Sequence, residues 1–116
     1  MEPDALLPLK PVDFLVLLVL ADGERHGYGI VQDIEAESGG SVRLLPGNLY
    51  TVLGRLMRDG MIRESERRPA REMDDERRRY YALTPFGRRV LGAEALRLKA
   101  LVRAAEARNL IREPAR

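Results

Sequence analysis

From Phe14 to Leu20 the chain is apolar at every position, and this run constrains the fold more than any other feature. It is far shorter than the roughly 20 residues needed to span a bilayer, so protein must cover it. Pro11 is pre-set for a first helical turn, and Asp22-Gly23 is a stop signal just past the apolar run. The pattern therefore predicts a helix through Val12 to Ala21. A helix that is apolar almost all round belongs at the centre of a core, with other elements packed around it. The 116 residues provide one compact domain and one projecting helix, too little for two independent cores.

The covering elements come in order along the chain. A turn at His26-Gly27-Tyr28-Gly29, with His26 capping the next helix or filling the turn, leads into a helix that places Ile30, Val31 and Ile34 on one face and ends at Ser38-Gly39-Gly40. After an extended stretch from Ser41 to Leu45, Pro46 opens a third helix. Leu49, Val52, Leu53 and Leu56 form its apolar stripe and Gly60 its C-terminal stop. The opposite face carries Gly47, Asn48, Thr51, Gly54, Arg55 and Arg58, a small, polar and basic set suited to a partner. Met61 to Glu66 and Arg79 to Leu83 have strand character, and the charged segment from Arg67 to Arg78 between them reads as the tip of a β-hairpin. Thr84 is a good N-cap with Pro85 in the first turn. The helix it opens is expected to reach about Asn109, a length of nearly 40 Å at about 1.5 Å per residue.

Composition removes several function classes. There are no cysteines, which excludes disulfide scaffolds, thiolate zinc sites and cysteine nucleophiles. His26 is the only histidine, leaving little for a metal site or a catalytic triad, and a structural role is expected for it. The carboxylates Asp74, Asp75 and Glu76 are adjacent in a loop and lack the convergent cage a divalent cation needs. No phosphate-cradling glycine loop or Ser/His/acid set is present. No metal, cofactor or enzymatic activity is expected. Charged residues make up 33% of the chain, with 20 Lys+Arg against 18 Asp+Glu, so net charge points only weakly to a polyanion. Lys10 and Lys99 are the only lysines, and the arginines that dominate suit phosphate and guanine edges. The start Met1-Glu2-Pro3-Asp4 lacks the features of a signal peptide, so a cytoplasmic, non-membrane protein is expected.

Three short helices, then strand, loop and strand, is the order of a winged helix-turn-helix. The expected fold class is thus mainly α with a small β-hairpin, extended by a long C-terminal helix, with residues 1–84 as the binding domain and 85–116 as helix and tail. His26-Gly27-Tyr28-Gly29-Ile30, Pro46-Gly47-Asn48-Leu49-Tyr50 with Leu53, Arg55-Leu56 and Gly60-Met61-Ile62, and Arg79 through Gly87 together resemble the signature of PadR-family transcriptional regulators. The resemblance runs in register over residues 7–87. It implies a winged-helix repressor acting as a homodimer through its C-terminal helix. Asn48, where Ser or Thr is commoner, departs from the pattern, and the single C-terminal helix resembles the short subfamily. These features bear on base preference and ligand rather than on the fold.

Each block has a physical reading. In a winged helix the third helix enters the major groove and the hairpin tip touches the backbone or an adjacent groove. Asn48 and Tyr50 lie in its first turn, where unpaired N–H groups and the dipole favour a phosphate oxygen; the alternative for Tyr50 is packing against the wing. Gly47 and Gly54 weaken a helix, by about 1 kcal/mol in its interior, which suggests close approach of DNA; for Gly54 the alternative is a neighbouring helix. Thr51, Arg55 and Arg58 are spaced so that some face outward. Arg55 is the candidate base reader, set against a structural or solvated arginine. Arg43 precedes the helix within reach of phosphate, or remains a solvated loop residue. In the wing, Arg67, Arg68 and Arg71 are the expected backbone contacts, although interleaved acids pair some of its charge.

In the last helix Leu91, Ala95, Leu98, Val102 and Ala105 form a heptad seam, widened by Leu96 and Leu101. The seam is expected to pack on a second copy, the alternative being the first helix of its own chain. A two-fold dimer predicts a palindromic operator. The expected partners are double-stranded DNA and a second copy. A small-molecule effector is a further candidate: an apolar space between the paired long helices and the first helix could admit a flat aromatic or lipophilic compound, the alternative being that the same residues are simply core. The rival reading is a winged-helix module that binds protein and not DNA.

Overall fold

The computed structural model describes residues 2–65 and 79–112. A short 3₁₀ turn, Pro3–Leu6, precedes α1 (Pro11–Leu20), β1 (Arg25–His26), α2 (Gly27–Glu37), α3 (Pro46–Arg58), β2 (Ile62–Glu64), β3 (Tyr80–Leu83) and α4 (Pro85–Ala107). The mainly helical winged helix-turn-helix with a long last helix is thus the observed fold.

α1 occupies the centre, as its apolar run requires. From Val12 to Leu20 no position is exposed, and Val16 and Leu17 are completely covered. Around it pack Ile30 and Ile34 of α2, Leu49, Leu53 and Leu56 of α3, and Val90 and Leu91 of α4. Each fully covered aliphatic side chain stabilises by about 2 kcal/mol, so the core draws on all four helices. The first turns of α4 therefore belong to the same hydrophobic cluster as α1.

The helix boundaries have local causes. His26 accepts the N–H of Gly29 on Nδ1 at 2.9 Å and so caps α2. Thr84 accepts the N–H of Gly87 on Oγ1 at 2.9 Å and caps α4, while its hydroxyl donates to the carbonyl of Gly60 at 2.6 Å. Gly60 adopts φ 76°, the left-handed conformation that ends α3 without strain. After β3 (Tyr80–Leu83) pairs with β2 (Ile62–Glu64), the chain returns so close that a Cβ on Gly87 would overlap the carbonyl oxygen of Met61. That close approach seats the start of α4 against the end of α3.

The sheet has three strands where the sequence pattern predicts two. β3 lies between β1 and β2 and is antiparallel to both, with Arg25 opposite Tyr81, His26 opposite Tyr80 and Ile62 opposite Leu83. β1 is two residues long, too short to display an alternating pattern, and it is recruited by the free edge of β3. Ser65 continues the β2–β3 ladder by donating its N–H to the carbonyl of Tyr80 at 2.8 Å.

The segment before α1 is also structured, which its sequence does not announce. Leu6, Leu7 and Leu9 pack on the core, and the N–H of Leu9 is received by Glu94 of α4 at 2.8 Å. Among the described residues no helix is long and apolar enough to cross a membrane.

Candidate nucleic-acid interface

α3 divides its surface cleanly. Leu49, Val52, Leu53 and Leu56 are buried, whereas Gly47, Asn48, Thr51, Gly54 and Arg58 are exposed. A Cβ added at Gly47 or Gly54 would meet nothing within 4 Å. The two glycines therefore leave a shallow outer surface, and the neighbouring-helix alternative for Gly54 is not what the structure shows. Thr51 donates its hydroxyl to the carbonyl of Gly47 at 3.2 Å, one turn back along the same face.

The N-terminus of α3 carries no capping side chain, since its N-cap is Leu45 and Pro46 comes next. The first-turn N–H groups of Gly47 and Asn48 thus lie at the positive end of the helix dipole without a capping acceptor. Arg43, with 76% of its side chain exposed, stands just before this end and makes a 3.4 Å pair with Glu35. A surface pair of this kind holds the guanidinium weakly, so exchanging Glu35 for a phosphate is inexpensive.

Arg55 requires a correction to the outward-facing expectation. Its Nη2 donates to Oδ1 of Asp13 in the first turn of α1, and Asp13 is buried. A carboxylate removed from water needs a charged partner, and Arg55 is the cation that meets it. The structural alternative is therefore the observed arrangement, and Arg58 is the outward-facing arginine of this helix.

Tyr50 is half-buried. It lines a small apolar cleft of about 40 Å³ with Gly27, Tyr28, Val31, Pro46 and Leu49, which joins the start of α2 to the start of α3. Two exposed apolar side chains flank this region and were not singled out from sequence: Tyr28 at 63% and Leu45 at 68%. The signal for Tyr28 was present in the Gly27-Tyr28-Gly29 block, which reads locally as a turn. Arg67, Arg68 and Arg71, and the carboxylates Asp74, Asp75 and Glu76, lie outside the described residues.

The profile of the transcriptional regulator PadR-like family matches residues 16–93. The chain belongs to the PadR family. Two curated relatives are similar to this chain. A transcriptional regulator of Mycobacterium tuberculosis is 36% identical over 83 residues, covering 72% of this chain and 71% of that protein. An uncharacterised 37.1 kDa protein of a transposon from Streptomyces fradiae is 44% identical over 81 residues, which are 70% of this chain but only 21% of that protein. Among solved structures, a PadR family transcription regulator from Clostridium difficile superposes with a TM-score of 0.70 at 20% identity, covering 84% of this chain and 97% of its own. A PadR-like transcription factor from Bacteroides fragilis gives 0.67 at 22% identity, with 83% and 87% covered. This PadR-family member is accordingly a transcription regulator with the family's winged-helix fold.

The C-terminal helix α4 has 23 residues. The predicted seam divides in two. Leu91 is buried in the chain's own core, the intramolecular packing left open from sequence, because it lies within two turns of Gly87 and its close approach to Met61. Beyond it Ala95 and Val102 are exposed, and Leu98 and Ala105 are half-buried. Leu96 and Leu101 are exposed as well, so the far half of α4 presents exposed apolar side chains among the described residues.

Proposed function

We propose that this PadR-family chain is a homodimeric, sequence-specific DNA-binding repressor of a palindromic operator, and not an enzyme. The observation that carries the reading is the outer face of α3. It combines unobstructed Gly47 and Gly54, an uncapped N-terminus at Asn48, and the exposed Thr51 and Arg58. In the major groove, Gly47 and Gly54 allow the backbone to approach closely. The N–H groups of Gly47 and Asn48, with Tyr50 and Arg43, take phosphate oxygens. Thr51 and Arg58 reach base edges, where a bidentate arginine on guanine discriminates by about 1–3 kcal/mol. Tyr28 adds a backbone contact from the start of α2, and Arg67, Arg68 and Arg71 add contacts from the wing.

The exposed far half of α4, through Ala95, Leu98, Val102 and Ala105, pairs with the same surface of a second copy. Two recognition helices then face successive turns of one side of the duplex. A small-molecule effector is a further proposed partner of the dimer.

Selection of bound sequences from random DNA with the purified protein tests the reading. A two-fold symmetric motif is expected, with affinity falling about a thousandfold or more between 50 and 200 mM salt if roughly 6–10 phosphates are engaged. Enrichment of no motif would refute it and leave the protein-binding rival.

A further inference from the structure

Asp13 is buried at 5% exposure within a helix otherwise built of apolar residues after Pro11. Its charge has no local origin: no basic residue lies within α1, and its partner Arg55 stands 42 positions away, in the last turn of α3. Arg55 is itself only 27% exposed along its side chain. A buried ion pair of this sort adds little to stability compared with an apolar pair of the same shape, and in some proteins such a pair fixes relative orientation instead. Both charges also lie at the helix ends their own dipoles favour, an acid in the first turn of α1 and a base in the last turn of α3.

The position of this pair matters because of what each helix carries. α3 rests on α2 and β2, while α1 packs against α2 and α4. The buried stripe of α3 holds one face against the core through aliphatic contacts that are not themselves directional. The charged hydrogen bond between Arg55 and Asp13 is directional. It connects the helix that faces DNA to the helix that lies against α4.

We infer that Asp13 and Arg55 form a positioning pair that sets the angle of α3 relative to α4, and so fixes the half-site spacing that the dimer accepts. The inference rests on the proposed DNA-binding function and assigns Arg55 to geometry, not to base reading. It separates two properties that a base contact would not separate. The bases recognised within one half-site depend on the outer face of α3 and are independent of the pair, while the distance between half-sites depends on the pair.

The experiment selects bound sequences from random DNA with the wild-type protein, Asp13→Asn and Arg55→Lys. Affinities are then measured for the full operator and for a single half-site, at a temperature where melting curves show each variant folded. Asp13→Asn removes the charge and keeps the shape. Arg55→Lys keeps the charge and loses the planar fork. Should Asp13→Asn fail to fold, Arg55→Lys and Asp13→Glu carry the test. The expected result is an unchanged half-site motif, a broadened spacing distribution, and full-operator affinity lowered roughly tenfold with half-site affinity unchanged.

Two outcomes overturn the inference while leaving the DNA-binding reading intact. One is a folded variant that keeps the wild-type spacing and affinity. The other is a changed base preference at one position of the half-site, which would make Arg55 a base reader. A wild-type protein that selects no motif would remove the proposed function and this inference together.

Discussion

The backbone N–H of Leu9 donates to Oε2 of Glu94 at 2.8 Å, joining the segment before α1 to α4 across 85 positions of sequence. The same carboxylate receives Nη2 of Arg97 at 3.0 Å on Oε2, and Nε of Arg97 on Oε1. Glu94 is only 1% exposed, so these donors replace the water it gives up.

This arrangement makes stability depend on pH. The hydrogen bond from Arg97 is the main cause that holds the Glu94 carboxyl below its ordinary value of 4.5, aided by the N–H of Leu9 and the charge of Arg97, and opposed by burial. A carboxylate whose pKa is lower folded than unfolded contributes its stability above the unfolded value and loses it as pH falls through the folded one. Glu94→Gln cannot ionise. Urea unfolding should show it less stable than wild type by about 1–3 kcal/mol at neutral pH, with the difference shrinking as pH falls below about 4.5. A gap that stays constant down to about pH 3, well below the unfolded value, would contradict this linkage.

Gly87 and Gly92 lie in the same helix and predict opposite outcomes. A Cβ at Gly87 would overlap the Met61 carbonyl oxygen, while one at Gly92 meets nothing within 4 Å. Backbone cannot yield as a flexible side chain does, so Gly87→Ala should destabilise by about 3 kcal/mol or more. Gly92→Ala should stabilise by about 0.5–1 kcal/mol through helix propensity. Thermal unfolding of the two variants checks both signs.

For Gly54 stability and DNA affinity are expected to move in opposite directions. The position is exposed and unobstructed, so Gly54→Ala should raise stability by about 1 kcal/mol. If the helix backbone approaches the major groove there, the added methyl should weaken operator binding. A gel-shift titration that finds wild-type affinity would argue against close approach at this turn.

Val102 tests the second copy. It is 49% exposed on the far half of α4, so Val102→Glu should leave the chain folded, with the helical circular dichroism of wild type, while sedimentation shows monomer in place of dimer and the melting temperature loses its dependence on protein concentration. Loss of the paired half-site should then lower full-operator affinity about a hundredfold or more. A variant that remains dimeric would place the subunit interface elsewhere.

Much of this architecture is legible from local chemistry. The run from Phe14 to Leu20 requires a central helix, and Pro11, Pro46 and Pro85 open helices where they are expected. Gly60 ends α3, and His26 and Thr84 cap the helices that begin beside them. Caps, breakers and stripes act over three or four residues, so neighbouring positions are enough to announce them. The two-sided character of α3 is legible for the same reason, because one helical period separates its buried leucines from Asn48, Thr51 and Gly54.

The rest depends on which distant groups meet. Nothing near Asp13 shows that it is buried or that Arg55 would turn inward to reach it, and nothing near Glu94 announces Leu9. Likewise, the heptad spacing of α4 does not distinguish Leu91, which this chain covers, from Val102, which it leaves open. β1 exists only because β3 offers an edge. Element type and order are set by interactions between neighbours along the chain, whereas the roles of these charges and of the helix faces are set by desolvation and packing, which depend on the assembled three-dimensional environment.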